Sequence, residues 1–272
     1  MRKKFIALAM IVVFAFALAG CGFIQTVGGP DLEKPVFVKM FIYADDMDVD
    51  LHYICDQKWD KAISKIEIPN APKEVRCVVY DEEEEEYEGK YTVMTTHMGV
   101  GDDRYDDDGL PEDISFSELL ITWDDGTTTT EDVGHITIAS EDIDYNNTNE
   151  SGGSEPGDVF YEVLNPVEKR TEITGFEVPF KEMEKIIDEV TLNDTPLSEI
   201  SAEHPLVLER GESCEFSISL DRSKAPEYGE VWVAAKLLKK SENKEVKYTN
   251  VFINERFNSN VDVKEYLRAV LN

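Results

Sequence analysis

The sequence predicts a mainly β protein made of two immunoglobulin-like β-sandwich domains with little helix. Short runs of alternating or β-branched residues recur at roughly ten-residue spacing, which is typical of a sandwich. The pattern lacks the strand–helix alternation of parallel α/β folds. Hydrophobic residues make up 42% of the 272 residues, enough to form one or two buried cores.

Changes in composition divide the chain into five predicted parts. The central break is the stretch Asn146–Gly157, which contains no apolar side chain larger than proline and is typical of an interdomain linker. The predicted parts are a signal peptide (1–20), a lipidated tether (21–34), an acidic β-rich domain (35–142), a linker (143–158) and a β-sandwich domain with a short C-terminal helix (159–272).

In the first domain, Val36–Tyr43 is rich in β-branched and aromatic residues and is a predicted strand. Lys73–Tyr80 is a second predicted strand, because it places Val75, Cys77 and Val79 on one face. The clearest hairpin is Leu119–Trp123 followed by Asp124–Gly126, because Asp-Gly supplies the positive-φ residue that a tight turn needs.

In the second domain, Cys214–Leu220 and Val231–Leu237 alternate apolar and polar residues, and Lys247–Ile253 is a further strand. The residues after Pro179 fit either a helix or a strand that enters the turn at Asn193 and Asp194. A terminal helix is predicted from the spacing of three apolar residues, Val263, Leu267 and Val270.

Acidic residues dominate the charge. The chain has 57 Asp and Glu against 27 Lys and Arg, a formal net charge of -30. Residues 31–150 hold 33 acidic and 9 basic residues, and residues 151–272 hold 24 and 15. Because phosphate recognition needs clustered basic residues, this balance excludes a nucleic-acid binder.

The N-terminus reads as an export signal. Arg2, Lys3 and Lys4 precede an apolar run, 5–18, that is short for a membrane span. The next residues, Leu18-Ala19-Gly20-Cys21, resemble the lipobox of bacterial lipoproteins. The resemblance implies cleavage before Cys21, lipid on its thiol, and an extracytoplasmic protein anchored to the membrane. Residue 22 is Gly, which leaves the Gram-positive outer leaflet and the outer membrane both open.

An aspartate-rich segment suggests a calcium site. Asp102, Asp103, Asp106 and Asp108 could supply the carboxylate oxygens that calcium prefers, although their spacing does not match an EF-hand loop. A solvated loop is the alternative. The cluster Asp45–Asp50 and the run Glu82–Glu86, interpreted as a hairpin tip, would add ligands only if all three segments lay at one end of the sandwich.

Cysteine and tryptophan offer two further hypotheses. Cys55 and Cys77 could form a disulfide in an extracytoplasmic compartment, whereas Cys214 shares an apolar face and is expected to be a buried thiol. Trp59 and Trp232 could contact a ligand such as a glycan, or could close the edge of a sandwich or the domain interface.

The four histidines are scattered and match no hydrolase motif. We therefore expect non-catalytic binding or scaffolding at the cell surface, with an unidentified protein or glycan ligand and no cofactor. Two alternatives stay open: a calcium-dependent binding module, and an accessory or cryptic hydrolase.

Overall fold

The computed structural model describes residues 29–86, 90–102, 110, 112–144, 148–153, 159–241, 246–255, 257 and 263–271. The fold is mainly β, as predicted. The first eight strands are β1 (Val36–Phe37), β2 (Lys39–Ala44), β3 (Asp48–Asp56), β4 (Ile63–Glu67), β5 (Val75–Glu86), β6 (Tyr91–Asp102), β7 (Ile114–Trp123) and β8 (Thr128–Ile138). The later strands are β9 (Thr148–Gly153), β10 (Val159–Leu164), β11 (Thr171–Glu177), β12 (Ile187–Leu192), β13 (Thr195–Pro196), β14 (Leu206–Leu208), β15 (Cys214–Leu220), β16 (Tyr228–Ser241) and β17 (Val246–Glu255).

Helix is sparse among the described residues. The C-terminal helix α1 spans Val263–Leu271, which confirms the predicted terminal helix. Short 3-10 turns occupy Lys181–Lys185, Leu197–Glu199 and Arg222–Lys224. The ambiguous segment after Pro179 thus forms one 3-10 turn and then strand β12. No helix in the described part of the chain is long and apolar enough to cross a membrane.

The strands of the described residues form three sheets. A four-stranded sheet has the order β1-β3-β6-β5, and a five-stranded sheet has the order β13-β12-β15-β10-β9. Between them lies a large central sheet with the order β14-β11-β16-β2-β8-β7-β4, in which β17 also pairs with β16.

Strand β16 joins the two halves of the central sheet. Its residues Val231–Val233 pair with both β2 and β17, and its residues Lys236–Lys240 pair with both β11 and β17. Since β17 occupies one side of β16 throughout, β2 and β11 must lie end to end along the other side. One strand therefore continues from the strands of the N-terminal half to those of the C-terminal half.

Among the described residues, the two largest hydrophobic cores lie on opposite faces of this sheet. In β2, Met40 and Ile42 belong to the first core, which is otherwise built from residues 37–138 and the C-terminal segment. Phe41, between them in sequence, belongs to the second core with residues 164–253. Successive residues of a strand point to opposite faces, so each face supports one sandwich.

A glycine permits the close packing of β2 and β8. Gly134 has φ +90°, and a Cβ there would lie 2.3 Å from the carbonyl oxygen of Met40. Only glycine combines that backbone conformation with so close an approach.

The predicted hairpin is also formed. Gly126 closes the β7–β8 turn with φ +80°, and its N–H donates to the carbonyl oxygen of Trp123.

The strand pairing crosses the predicted domain boundary. β2 belongs to the first predicted domain and β16 to the second, yet they are parallel neighbours. Strand β9 lies inside the predicted linker, 143–158, and pairs with β10. The halves thus share a sheet, and the domain boundaries themselves stay a prediction.

Candidate ligand-binding cleft

The face of β16 that packs into the second core changes character along the strand. Val231, Val233, Ala235 and Leu237 are all buried in that core. The next position on the same face is Lys239, since side chains alternate with a period of two. A lysine therefore occupies a position that continues the apolar row.

Strand β17 repeats the change. Ile253 and Val251 are buried in the second core, and the next positions on that face are Thr249 and Lys247. The register places Lys247 directly opposite Lys239, and Thr249 opposite Leu237. Opposed side chains have Cβ atoms about 5 Å apart, so the two lysines stand together at one end of the core.

These residues border a cleft of about 480 Å³, here called the lysine cleft. Its apolar lining includes Leu164, Ile173, Leu208 and Leu237, and the connection between β10 and β11 contributes residues 165–169. The volume lies within the range of pockets that hold small ligands, roughly 300–1,000 Å³.

The charge of the lysine cleft is opposite to that of the whole protein. Lys169, Lys239 and Lys247 line it against a single acidic lining residue, Glu168, among the described residues. Burial lowers the pKa of Lys239, Asp144 acts in the opposite direction, and Lys247 lowers it further. Directly opposed like charges destabilise a sheet. The opposed pair of Lys239 and Lys247 is therefore unexpected in a chain with 57 acidic residues.

A second polar cluster lies inside the first core. His52 Nδ1 is 2.9 Å from Thr95 Oγ1, and His52 Nε2 is 3.1 Å from Glu230 Oε2. The backbone N–H of Phe257 also donates to Glu230. The set resembles a hydroxyl–imidazole–carboxylate triad in composition, but the three side chains belong to residues at most 9% exposed. A substrate could not reach the Thr95 hydroxyl, so the cluster holds β3, β6 and β16 together.

His97 lies on the surface of the four-stranded sheet. Its Nδ1 is 2.6 Å from Asp50 Oδ1, and Nε2 is 3.9 Å from Glu83 Oε2. The hydrogen bond to Asp50 is the main cause that raises the pKa of His97 above its ordinary value.

A buried carboxylate lies between the outer five-stranded sheet and β17. Glu162 is 4% exposed, and its Oε2 accepts a hydrogen bond from the backbone N–H of Phe252, 3.1 Å away. Burial raises the pKa of Glu162 to about 7, and the hydrogen bond offsets this only partly.

The predicted calcium ligands fall mainly outside the described residues. This holds for Asp103, Asp106 and Asp108, and only the backbone of Asp102, at the end of β6, is described. In the ranges that are described, no three His, Cys, Asp or Glu side chains converge as metal ligands. Calcium binding by residues 102–108 stays a prediction.

The glutamate run does not form a hairpin tip. Residues Glu82–Glu86 belong to β5 and pair with Thr92–Thr96 of β6, whereas Asp102 pairs with Val75 at the other end of that ladder. The acidic segments therefore do not all meet at one end of the sandwich. β5 is the outer strand of its sheet, and charge along an outer strand prevents pairing with a second chain.

The predicted disulfide is not formed. Cys55, Cys77 and Cys214 are free thiols. Cys55 pairs with Thr92 and Cys77 with Val100, on the same strand, eight positions apart. At about 3.4 Å per residue the two cysteines lie far beyond the 7 Å Cα separation that a disulfide tolerates. Burial raises the pKa of Cys214 to about 12, consistent with the expected buried thiol.

The two candidate ligand-binding tryptophans both pack against the first core. Trp59 meets Trp123 edge to face at 5.1 Å, and Lys61 Nζ lies 5.2 Å from its ring centre. Trp232 is half-buried on the opposite face from Val231 and Val233, as predicted. These contacts favour the edge-closing interpretation over glycan stacking.

Cys21, the predicted lipidation site, lies outside the described residues.

Sequence reasoning missed Lys239 and Lys247. The signal was present, because the alternation of Val231–Leu237 continues in register to Lys239. That the second lysine faces the first depends on the β16–β17 register, which one strand alone does not reveal.

No family model and no curated protein matches the chain. Among solved structures, a protein of unknown function from Porphyromonas gingivalis W83 aligns with 81% of this chain and 99% of its own, at 9% identity and a TM-score of 0.25. The secreted serine protease VesC from Vibrio cholerae aligns with 80% of this chain and 50% of its own, at 7% identity and a TM-score of 0.23. Likenesses this weak leave the function to the chain's own residues.

Proposed function

We propose that this chain is a lipid-anchored protein of the cell envelope that binds a ligand at the cell surface without catalysing a reaction. The anchor rests on the lipobox-like sequence that ends at Cys21. The observation that supports binding is the lysine cleft, where two lysines occupy positions that continue the core-facing rows of β16 and β17.

The histidine environments favour binding over hydrolysis. His52 is enclosed with Thr95 and Glu230, and His135 stacks 5.5 Å from Phe41 within an aromatic group. In the described part of the chain, the hydrogen-bond and ion-pair partners of His97 are the carboxylates of Asp50 and Glu83 rather than a hydroxyl or a thiol. A hydrolase would need a nucleophile and a base that solvent and substrate can reach together.

The anchor is tested by Cys21→Ala in cells fed a radiolabelled fatty acid. We expect the wild-type protein to carry label and to sediment with membranes, because two or three acyl chains bind a bilayer firmly. The variant should carry no label and should leave the membrane fraction. Cys77→Ser is the matched control and should behave like wild type. Label on the Cys21→Ala variant would contradict the anchor.

The binding role is tested by presenting the purified protein without its predicted signal peptide and lipidation site, residues 22–272, to isolated envelope glycans and envelope proteins. We expect retention of a defined component that is weakened by Lys239→Gln and by added salt, since exposed charge interactions are screened. Retention that is equal for Lys239→Gln and wild type would contradict a role for the cleft.

A further inference from the structure

Strand β7 has a strand partner along only part of one edge. β4 pairs with residues 120–123 of β7, and this ladder ends where Glu67 meets Leu120. The chain then turns away through Pro69, which has no N–H to donate to a ladder. On that edge, no strand of the described residues covers residues 114–118, whereas β8 covers the opposite edge.

A cleft of about 370 Å³, here called the β7 cleft, runs along this open edge. Residues 69–72 of the β4–β5 connection line it, together with residues 112–118 in and before β7. Side chains of consecutive strand residues point to opposite faces, so a cleft that contacts consecutive residues of β7 follows the edge of the strand. Ser115, Ser117 and Glu118 are exposed, so solvent and ligand can reach this edge.

Carboxylates give the β7 cleft a negative charge. Glu112, Asp113 and Glu118 line it and are exposed, and the described lining residues include no Lys, Arg or His. Asp113 Oδ1 accepts hydrogen bonds from the backbone N–H and the hydroxyl of Ser140, both at 2.8 Å, so this carboxylate is held in place. A positively charged ligand would complement this lining.

The open edge and the carboxylates together favour one class of ligand. An extended segment adds to a sheet by pairing its own N–H and C=O groups with those of an open edge, and pockets then receive its alternate side chains. The small side chains of Ser115 and Ser117 leave space beside the edge. Lys or Arg at alternate positions would bring positive charge beside Glu112 and Glu118. The net negative charge of residues 31–150 attracts such a segment over a longer range.

We propose that the β7 cleft binds an extended basic segment of a partner protein, which adds as a strand to the open edge of β7 and places Lys or Arg beside Glu112 and Glu118. The edge recognises the main chain of the partner, and the carboxylates recognise its charge. The site is separate from the lysine cleft, so it goes beyond the binding role proposed above and does not depend on it.

Fluorescence anisotropy of labelled hexapeptides, titrated with the protein of residues 22–272, tests the ligand class. We expect saturable binding of a peptide that alternates lysine and valine. The same peptide with every backbone nitrogen methylated keeps its charge but cannot donate main-chain hydrogen bonds, so it should bind at least about tenfold more weakly. Replacement of each lysine by glutamate should abolish binding, because the carboxylates of peptide and cleft repel each other.

A bulky substitution tests whether the peptide occupies the cleft. Ala71→Trp adds a large ring to the turn that lines the cleft and should block binding. Ala62→Trp is the matched control, because Ala62 is exposed and lies outside the cleft. It should bind the peptide like wild type.

A pair of double variants tests the carboxylates. Glu112→Gln/Glu118→Gln should weaken binding of the lysine–valine peptide about fivefold, the effect of two solvent-exposed ion pairs. Glu184→Gln/Glu189→Gln removes the same total charge at exposed positions outside the cleft and should bind like wild type. Melting curves establish that each variant is folded before binding is compared.

Several outcomes would overturn the proposal. They are the absence of saturable binding by the lysine–valine peptide, equal binding of its methylated or glutamate form, equal binding by the two tryptophan variants, and equal binding by the two double variants. Self-association of the purified protein in analytical ultracentrifugation that Ala71→Trp abolishes and Ala62→Trp does not would assign the edge to a second copy of this chain. That result would also contradict a separate partner.

Discussion

The two cores lie on opposite faces of one sheet, and their buried carboxylates have different partners. In the first core, the buried carboxylate of Glu230 meets His52 and the backbone N–H of Phe257. In the second, the buried carboxylate of Glu162 accepts a hydrogen bond from Phe252 and titrates near pH 7. The second core also ends at opposed lysines. The buried carboxylate of the first core therefore has an imidazole partner, whereas burial raises the pKa of the carboxylate in the second.

The largest effect should come from Phe216→Ala, a test of whether the cores unfold together. Phe216 is fully buried in the second core, so its truncation should cost about 4 kcal/mol of unfolding free energy. All three tryptophans pack in or against the first core. We expect the denaturant midpoint of their fluorescence to fall as far as this full loss of unfolding free energy requires, because β16 connects both cores. Val207→Ala, at an exposed position, is the control. An unchanged tryptophan midpoint would show two independently folding domains.

Gly134→Ala should disrupt the pairing of β2 with β8 in the central sheet. The added Cβ meets the Met40 backbone at 2.3 Å, and φ is +90°, so we expect a loss of roughly 3 kcal/mol in denaturant unfolding. Gly126→Ala is a matched control with φ +80° and no atom within 4 Å of the added Cβ. It should cost only about 1 kcal/mol. Equal losses would mean that strain alone, without the close approach, sets the cost.

Glu162→Gln tests the pH response of the second core. The folded-state pKa of Glu162, about 7, lies above the ordinary glutamate pKa of 4.5, so between these values the native state binds more protons than the unfolded state. Stability of the wild type should therefore fall as pH rises through this window, by about 3 kcal/mol in total. The variant should lack this slope and should be more stable than wild type above pH 7. Glu215→Gln, on the exposed face of β15, should keep the slope.

Asp50→Asn should have the smallest effect. The Asp50 hydrogen bond raises the pKa of His97, so its stabilisation is present below the ordinary histidine pKa and is lost as pH rises through the folded value. The variant should lower the His97 pKa in an NMR titration, with under about 1 kcal/mol of stability lost, because the pair is solvent-screened. A His97 pKa that did not change would assign the shift to Glu83 and Asp81 instead.

Local patterns in the sequence predicted much of the fold. Asp-Gly located the β7–β8 hairpin, and the spacing of Val263 and Leu267 located α1. The pairing of β2 with β16 could not be predicted, because parallel neighbours distant in sequence leave no local signal. The lysine cleft was half predictable, since the position of Lys239 follows from alternation, whereas its opposition to Lys247 depends on strand register.

The parallel pairing of β2 with β16 also determines when the fold can be completed. Phe41 is adjacent to Val231, about 190 positions later in the chain. Pairings this distant in sequence form slowly, because a long loop must close before any contact compensates for the lost entropy. During synthesis, one edge of β2 therefore stays unpaired until β16, about 190 positions later, has emerged. The nascent protein would depend on protection from aggregation throughout that interval.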